Sequence, residues 1–328
     1  MYVKATDKFE KYTLFPVELG FIPPKDYIFE VSEARYKILS GDNKYHEVFA
    51  VEVKDVEVKK ADRIGKKENK FAVIVPNRNY AECIEKCLTS ILNQTYKKFE
   101  IIFIDDCSTD DSVAVAKRLL TKPHKVIQLK QRRYAGGARN EAYLHVSKDV
   151  DYITYVDSDD WLLNDGVLAD INSRLISAPD VLFMGVMEHL NGIESIARMP
   201  DYNDRYDALR GWSGCGKVIR KELATRQECL YAEGTLKEDK NQHCRICINM
   251  DSFVCLKQPY YVWNRDNSKS VTTVRDKIKW GTSTIRHYAD TMELYLTYKG
   301  QNQIIDGFLK TRLDMMKREI NLGGDRQF

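Results

Sequence analysis

No run of about 18 apolar residues occurs in the 328-residue sequence, so no segment reads as a transmembrane helix. Charge of one sign is missing too. The 51 basic and 48 acidic residues leave only +3, far from the clustered basic charge of a protein built to grip nucleic acid, which is therefore not an expected partner. The opening stretch "MYVKATDKFEKYTLF" lacks the basic and then apolar layout of a signal peptide, and a cytoplasmic location is expected. A disulfide frame is absent as well: several of the eight cysteines sit inside apolar patterns, as reduced, buried thiols do. Cys229, Cys244, Cys247 and Cys255 contain one close pair, "CRIC", but no second, so packing is expected ahead of zinc.

What is present suffices for a filled core, with 43% hydrophobic and 11% aromatic residues. Residues 1–62 read as a small N-terminal module, α+β or β-rich, with a short helix after Ser32 as its cap. The charged stretch "KKADRIGKKENK" contains a linker at 63–70. From residue 71 apolar runs alternate with helical patterns. "FAVIV" (71–75), "FEIIFI" (99–104), "KVIQL" (125–129) and "YITYV" (152–156) read as strands, separated by helices over 82–92, 111–120 and 138–146. Solidly apolar strands are covered on both faces. Repeated strand–helix–strand units predict an α/β fold with a mostly parallel, Rossmann-like sheet and helices on both faces. This domain is expected to run over 71–274, followed by a helical segment over 275–328. Ile305, Phe308, Leu309 and Leu313 are spaced there for a buried stripe or a homo-oligomer contact.

In such sheets ligands gather at the carboxyl ends of the strands, and polar residues follow each of the four. They are "PNRN" (76–79), "DDCSTDD" (105–111), "RRYAGGARN" (132–140) and "DSDD" (157–160). Each alone is a common turn or cap; together they favour a nucleotide pocket. The last places Asp157, Asp159 and Asp160 within four positions, where like charges raise one another's pKa unless a cation relieves them. Asp157 and Asp159 fall on one side of an extended segment, and hard cations such as Mn2+ or Mg2+ take one or two carboxylates plus substrate phosphates.

The ordered set "VIVPNRN", "SILNQTY", "EIIFIDDCSTDDS", "GGARN" and "YVDSDDW" resembles the family 2 glycosyltransferases, inverting enzymes of the GT-A fold. The match is clear over about 70–165 and weaker to about 275. The resemblance implies a hexosyl-type transfer from a nucleotide-diphosphate donor, with UDP as the expected base. It implies that Pro76, Asn77 and Asn79 form the turn beneath the nucleoside, and that Asp105 and Asp106 face it. Arg139 would be the cation beside the pocket, forking onto phosphate or holding an aspartate; Asp157 would contact the ribose or the metal, Ser158 would belong to the donor-binding set, and Asp159 would bind the metal. "TLKEDKNQH" resembles the family's Glu-Asp motif, making Asp239 the catalytic base and Glu238 its neighbour. "GWSGCGK" (211–217) would shape the acceptor side, and Arg265 and Ser268 would close over the diphosphate. His243 is expected to be packed or solvated. The family usually has Thr and Tyr where this chain has Asn77 and Arg78, and Gly where it has Cys107.

The N-terminal module resembles small domains of phage and prophage proteins, which implies a host-cytoplasm location if the chain is phage-encoded. The acceptor, whether protein, glycan or polymer, is not legible. Two rival readings remain: a sugar nucleotidyltransferase, although "PNRNYAE" lacks a triphosphate-gripping glycine, and a catalytically inactive binder of sugars or partners with the same fold.

Overall fold

The structure is a computed structural model that describes residues 2–5, 28–30, 49–50, 68–211, 214–268, 270 and 277–321. Two compact units divide the chain, one formed by Met1–Lys67 with Arg174–Ala178 and the other by Glu68–Ser173 with Pro179–Phe328. In the first, β1 (Tyr2–Ala5), β2 (Ile28–Glu30) and β3 (Phe49–Ala50) form a small antiparallel sheet ordered β2-β1-β3. The helix expected after Ser32 lies outside the described residues.

The second unit holds a nine-stranded sheet. Its strands are β4 (Phe71–Asn77), β5 (Phe99–Asp105), β6 (Lys125–Gln128), β7 (Tyr152–Tyr155), β8 (Trp161–Leu162), β9 (Val181–Leu190), β10 (Ile193–Arg198), β11 (Lys217–Arg220) and β12 (Phe253–Asn264). The order is β6-β5-β4-β7-β11-β9-β12-β8, with β10 beside β9. Neighbours from β6 to β7 are parallel, as the alternation predicts. Past β7 the sheet becomes mixed, because β11 runs antiparallel to both β7 and β9 while β12 is parallel to β9.

Seven helices of eight or more residues occur among the described residues: α1 (Ile84–Leu92), α2 (Ser112–Leu119), α3 (Tyr134–Tyr143), α4 (Val167–Arg174), α5 (Glu238–Asn249), α6 (Lys277–Tyr298) and α7 (Gln303–Asn321). β4 and β5 are buried at every position, as strands covered on both faces must be. β6 departs from that expectation. It is an edge strand, half-buried to exposed, which explains why Lys125 and Gln128 are tolerated in it.

A second departure concerns the glycine pair, since the third helix begins at Tyr134 rather than near 138. Gly136 and Gly137 therefore lie inside its first turn. A Cβ at Gly136 would stand 2.5 Å from the Ala232 carbonyl oxygen and 2.9 Å from Glu238 Cγ, so the residue is glycine for close approach, not for a turn. In the C-terminal helices, Ile305, Leu309 and Leu313 are buried in the core, with Phe308 partly so. The stripe is spent on the chain's own core.

Candidate active site

Parallel pairing of β4, β5 and β7 brings their carboxyl ends to one edge, where Asn77 stands opposite Asp105 in the register. Beyond that edge opens a cavity of about 720 Å³. Its lining includes Pro76, Asn77, Asn79, Asp106, Arg139, Asp157, Ser158, Asp159, Glu238 and Asp239. Ten of the residues singled out in the sequence thus converge, although they come from five segments.

At its centre lies Arg139. From the first turns of α3 it donates from Nη2 to Asp157 Oδ1 at 2.7 Å and from Nη1 to Glu238 Oε1 at 2.8 Å. Its guanidinium also lies against the Tyr231 ring, 5.2 Å from the centroid, which suits a planar, delocalised cation. Burial acts against the Arg139 charge, but the Asp157 carboxylate, the surrounding groups and Glu238 outweigh it and hold its pKa well above the usual value. Burial pushes Glu238 up to about 7, opposed by Arg139 and reinforced by Asp239. Asp239, one residue on, is half-buried in the cavity wall, and its Oδ1 accepts the Lys240 backbone N–H at 2.9 Å.

The three carboxylates after β7 take different roles. Asp157 faces Arg139 and the cavity. Asp159 accepts from Asn267 Nδ2 at 2.8 Å, and burial together with the Asp157 charge pushes it up to about 6. Asp160 also reaches the cavity lining, but is only 3% exposed. It accepts the Tyr261 hydroxyl at 2.5 Å and the Asn264 N–H at 2.8 Å, and so fastens the loop to β12. Two carboxylates held close, one of them reluctant to ionise beside the other, form a hard oxygen donor set that fits Mg2+ or Mn2+. Among the described residues no group of three or more His, Cys, Asp or Glu is arranged to hold a metal. An ion at Asp157 and Asp159 would therefore need further oxygens from a phosphate-bearing ligand or water.

Some expected residues turn elsewhere. Asp105 does not line the cavity: it is 1% exposed and accepts from Asn77 Nδ2 at 3.0 Å, Ser108 N at 2.9 Å and Ser108 Oγ at 2.5 Å. That pinning shapes the turn, while Asp106 stands at the cavity and accepts the N–H groups of Arg133 and Tyr134 at 2.6 and 2.9 Å. Ser158 donates to the Pro76 carbonyl, tying the two loops together. Asn79 accepts the Thr109 N–H at 2.7 Å. Arg265 lies outside the lining, paired with Glu188 at 2.5 Å and stacked on Trp263. Ser268 is exposed, and Ser270 lines the cavity instead. Small offsets of this kind depend on where β12 ends, which a motif does not reveal.

Cys107 has φ 61°, a left-handed backbone that accounts for glycine at that position in the resembling family. Arg78, in place of the usual Tyr, donates to the carbonyls of Asp106 and Cys107 at 2.6 and 2.8 Å. On the acceptor-side segment, Trp212 and Ser213 lie outside the described residues and Gly214 lines the cavity. His243 is fully buried with Nε2 2.7 Å from the Ala208 carbonyl, a packed histidine as expected. Cys229, Cys244, Cys247 and Cys255 are free thiols.

The sequence reading missed Tyr80, Arg132, Tyr134, Lys237, Lys240 and His287, all in the lining. Arg132 lies over the Tyr134 ring at 4.2 Å. Neither these nor the histidine form a recognisable spacing, so only their neighbours in space reveal them.

Comparison with known proteins agrees with this geometry. Residues 72–247 match the family model "Glycosyl transferase family 2". Glycosyltransferase GlyA of Streptococcus pneumoniae serotype 4 is 39% identical over 101 residues, covering 30% of this chain and 14% of that protein. The poly(ribitol-phosphate) beta-glucosyltransferase of Bacillus spizizenii is 32% identical over 128 residues, covering 38% of this chain and 20% of that protein. The chain thus spans a minor part of the length of these curated relatives. Among solved structures, Staphylococcus aureus TarS 1-349 in complex with UDP-GlcNAc is similar with a TM-score of 0.59 and 20% identity, covering 77% of this chain and 73% of the other. Mannosyltransferase PcManGT from Pyrobaculum calidifontis, in complex with GDP-Man and Mn2+, gives 0.56 and 17%, covering 80% and 78%. These two likenesses show the shared GT-A architecture. Because the family match spans more than half of its residues and falls on the segments that build the cavity, the chain belongs to glycosyl transferase family 2.

Proposed function

We propose that the protein is a metal-dependent, inverting glycosyltransferase that moves a sugar from a nucleotide-diphosphate donor, a UDP-sugar in the first place, to an acceptor nucleophile. The observation that carries this reading is the continuous chain Asp157–Arg139–Glu238, with Asp159 at one end and Asp239 at the other, along one cavity. Similar structures hold UDP-GlcNAc in one case and GDP-Man with Mn2+ in another, which supports a nucleotide sugar and a divalent ion here. The division into a catalytic domain over 71–274 and a helical segment over 275–328 belongs to the same proposal.

Asp157 and Asp159 would hold Mn2+ or Mg2+, and the bound ion would neutralise charge on the departing diphosphate. Pro76 and Asn77 support the nucleoside, and Asp106 fixes the start of α3 beside it. Arg139 orients Asp157 and Glu238 from one rigid fork. Asp239 takes the proton of the acceptor hydroxyl as that oxygen bonds to the anomeric carbon. The bond from that carbon to the diphosphate breaks, its electron pair leaves with the nucleotide, and attack from the opposite face inverts the configuration. No covalent enzyme intermediate is needed.

The test is calorimetric titration with UDP-sugars and GDP-sugars, with Mn2+ and then with chelator. Metal-dependent binding of a UDP-sugar by wild type and by Asp239→Asn, with transfer or donor hydrolysis lost only in the variant, supports the reading. Binding that ignores the chelator, or an unimpaired Asp239→Asn enzyme, refutes it.

A further inference from the structure

Lys217 opens β11 and is only 2% exposed. A lysine is almost never this deeply buried unless something pairs with it, because an ammonium taken out of water is costly without a counter-charge. The register of the sheet shows which way its side chain lies. Lys217 stands opposite Phe183 of β9, and Ile219, two residues on, stands opposite Ile153 of β7. Opposed residues share a face of a sheet, as do residues two apart in one strand, so Lys217 lies with Phe183, Ile153 and Tyr155. That face is the one covered by α3 and α5. Ile153, Tyr155 and Phe183 belong to one buried cluster with Ala138 of α3 and with Cys244 and Cys247 of α5.

The neighbours of Lys217 on this face lead to the site. The Tyr155 ring centroid lies 6.0 Å from the Arg139 guanidinium carbon, and the Phe183 ring 6.0 Å from the His243 ring. Asp239, His243 and Cys247 follow at four-residue steps along α5 and form one stripe, with Cys247 Sγ 3.6 Å from His243 Nε2. Lys217 meets this stripe: after burial, it is the first group that disfavours a charge on His243.

Burial pushes Lys217 down to about 8. Asp239 is the first of the groups that oppose this, followed by Cys247 and Cys215, while Arg139 adds to it. His243 is held neutral, and burial keeps the Cys247 thiol protonated. The Asp239 carboxylate is thus the group on the stripe that can balance a buried ammonium. Asp239 lines the cavity, whereas Lys217 lies outside the lining, where it cannot touch a bound substrate.

We propose that Lys217 is a positioning residue for the transfer: from behind the cavity wall, its ammonium is the counter-charge that holds the Asp239 carboxylate in place to take the acceptor's proton. This rests on the transferase reading for the role of Asp239, though the pairing of the two side chains does not.

The experiment has one arm that needs no turnover. The full chain is labelled with 13C-lysine and titrated with base, and the Lys217 signal is assigned by its loss in Lys217→Met. One Cε signal should titrate near pH 8, well below the other lysines. In Asp239→Asn its midpoint should fall by about one pH unit or more, the scale of a lost neighbouring charge. A midpoint that Asp239→Asn leaves in place overturns the proposal, and this arm stands even if Lys217→Met fails to fold.

The second arm follows donor hydrolysis, with water in place of the acceptor. Lys217→Met should lower kcat about a hundredfold, the scale of a misplaced catalytic group, with KM for the donor unchanged. Wild-type kcat should fall above about pH 8 as Lys217 loses its proton. Lys217→Arg, whose guanidinium keeps its proton, should restore turnover in part and show no such fall. A Lys217→Met enzyme with wild-type kcat, or an equal rise in KM, overturns the proposal. Coupled titration of Lys217 and Asp239 in a protein that hydrolyses no nucleotide sugar would support the pairing and refute the transferase reading.

Discussion

Arg139 Nη1 stands 2.8 Å from Glu238 Oε1 while the other arm of the same guanidinium holds Asp157. One side chain thus joins the carboxylates after β7 to the helix that carries Asp239. Removing it would leave a carboxylate buried without its counter-charge. Arg139→Ala is expected to lower stability by about 3 kcal/mol or more, the scale for breaking a buried pair. Urea denaturation measures this, and Arg139→Lys should recover only part, since a point charge cannot fork to both partners.

Gly136 adjoins that pair. A Cβ there meets the backbone oxygen of Ala232 and Glu238 Cγ, so Gly136→Ala must push α3 from α5. A loss of about 1–3 kcal/mol is expected, with kcat falling more than donor affinity. A fully active Gly136→Ala enzyme would show that the spacing of the two helices is not critical.

Asp159 and Asp160 are neighbours with separable roles. Asp159→Asn should remove metal-dependent nucleotide binding and leave the melting temperature nearly unchanged. Asp160→Asn alters the acceptor of Tyr261 and Asn264 and should lower the melting temperature. Calorimetry and thermal denaturation on the two variants decide; matching profiles would refute the assignment.

The raised pKa of Asp159, about 6, fixes the sign of a pH effect. Below that value the carboxyl is protonated, and a proton must leave before a cation enters. Mn2+ affinity should be near its plateau at pH 7.5 and fall about tenfold for each unit below about pH 6. A flat profile from pH 5 to 7.5 would exclude Asp159 as a ligand.

Cys107 adopts a left-handed backbone and donates from Sγ to the Leu129 carbonyl at 3.3 Å. Cys107→Gly relieves about 1 kcal/mol of backbone strain and gives up a similar amount in chain entropy, so its stability should change little. Cys107→Val puts a β-branched residue at positive φ and should be destabilised by more than 1 kcal/mol. Chemical denaturation of both checks this.

The sequence by itself determined the strands read at 71–75, 99–104 and 152–156, which the structure places at 71–77, 99–105 and 152–155, because their apolar runs admit no other burial. It also determined that Asp157, Asp159, Glu238 and Asp239 are candidates, because their motifs are local and ordered. Tertiary structure decided what each does. Asp105 turns inward because Asn77 stands opposite it in the β4–β5 register. Gly136 is needed because α3 packs against Glu238, 102 positions away in the chain. His287 reaches the cavity lining only because α6 is strapped to the 235–237 loop. A periodic pattern reports which face of an element is buried, but not which distant side chain meets it there. That is settled by the packing of elements far apart in the chain.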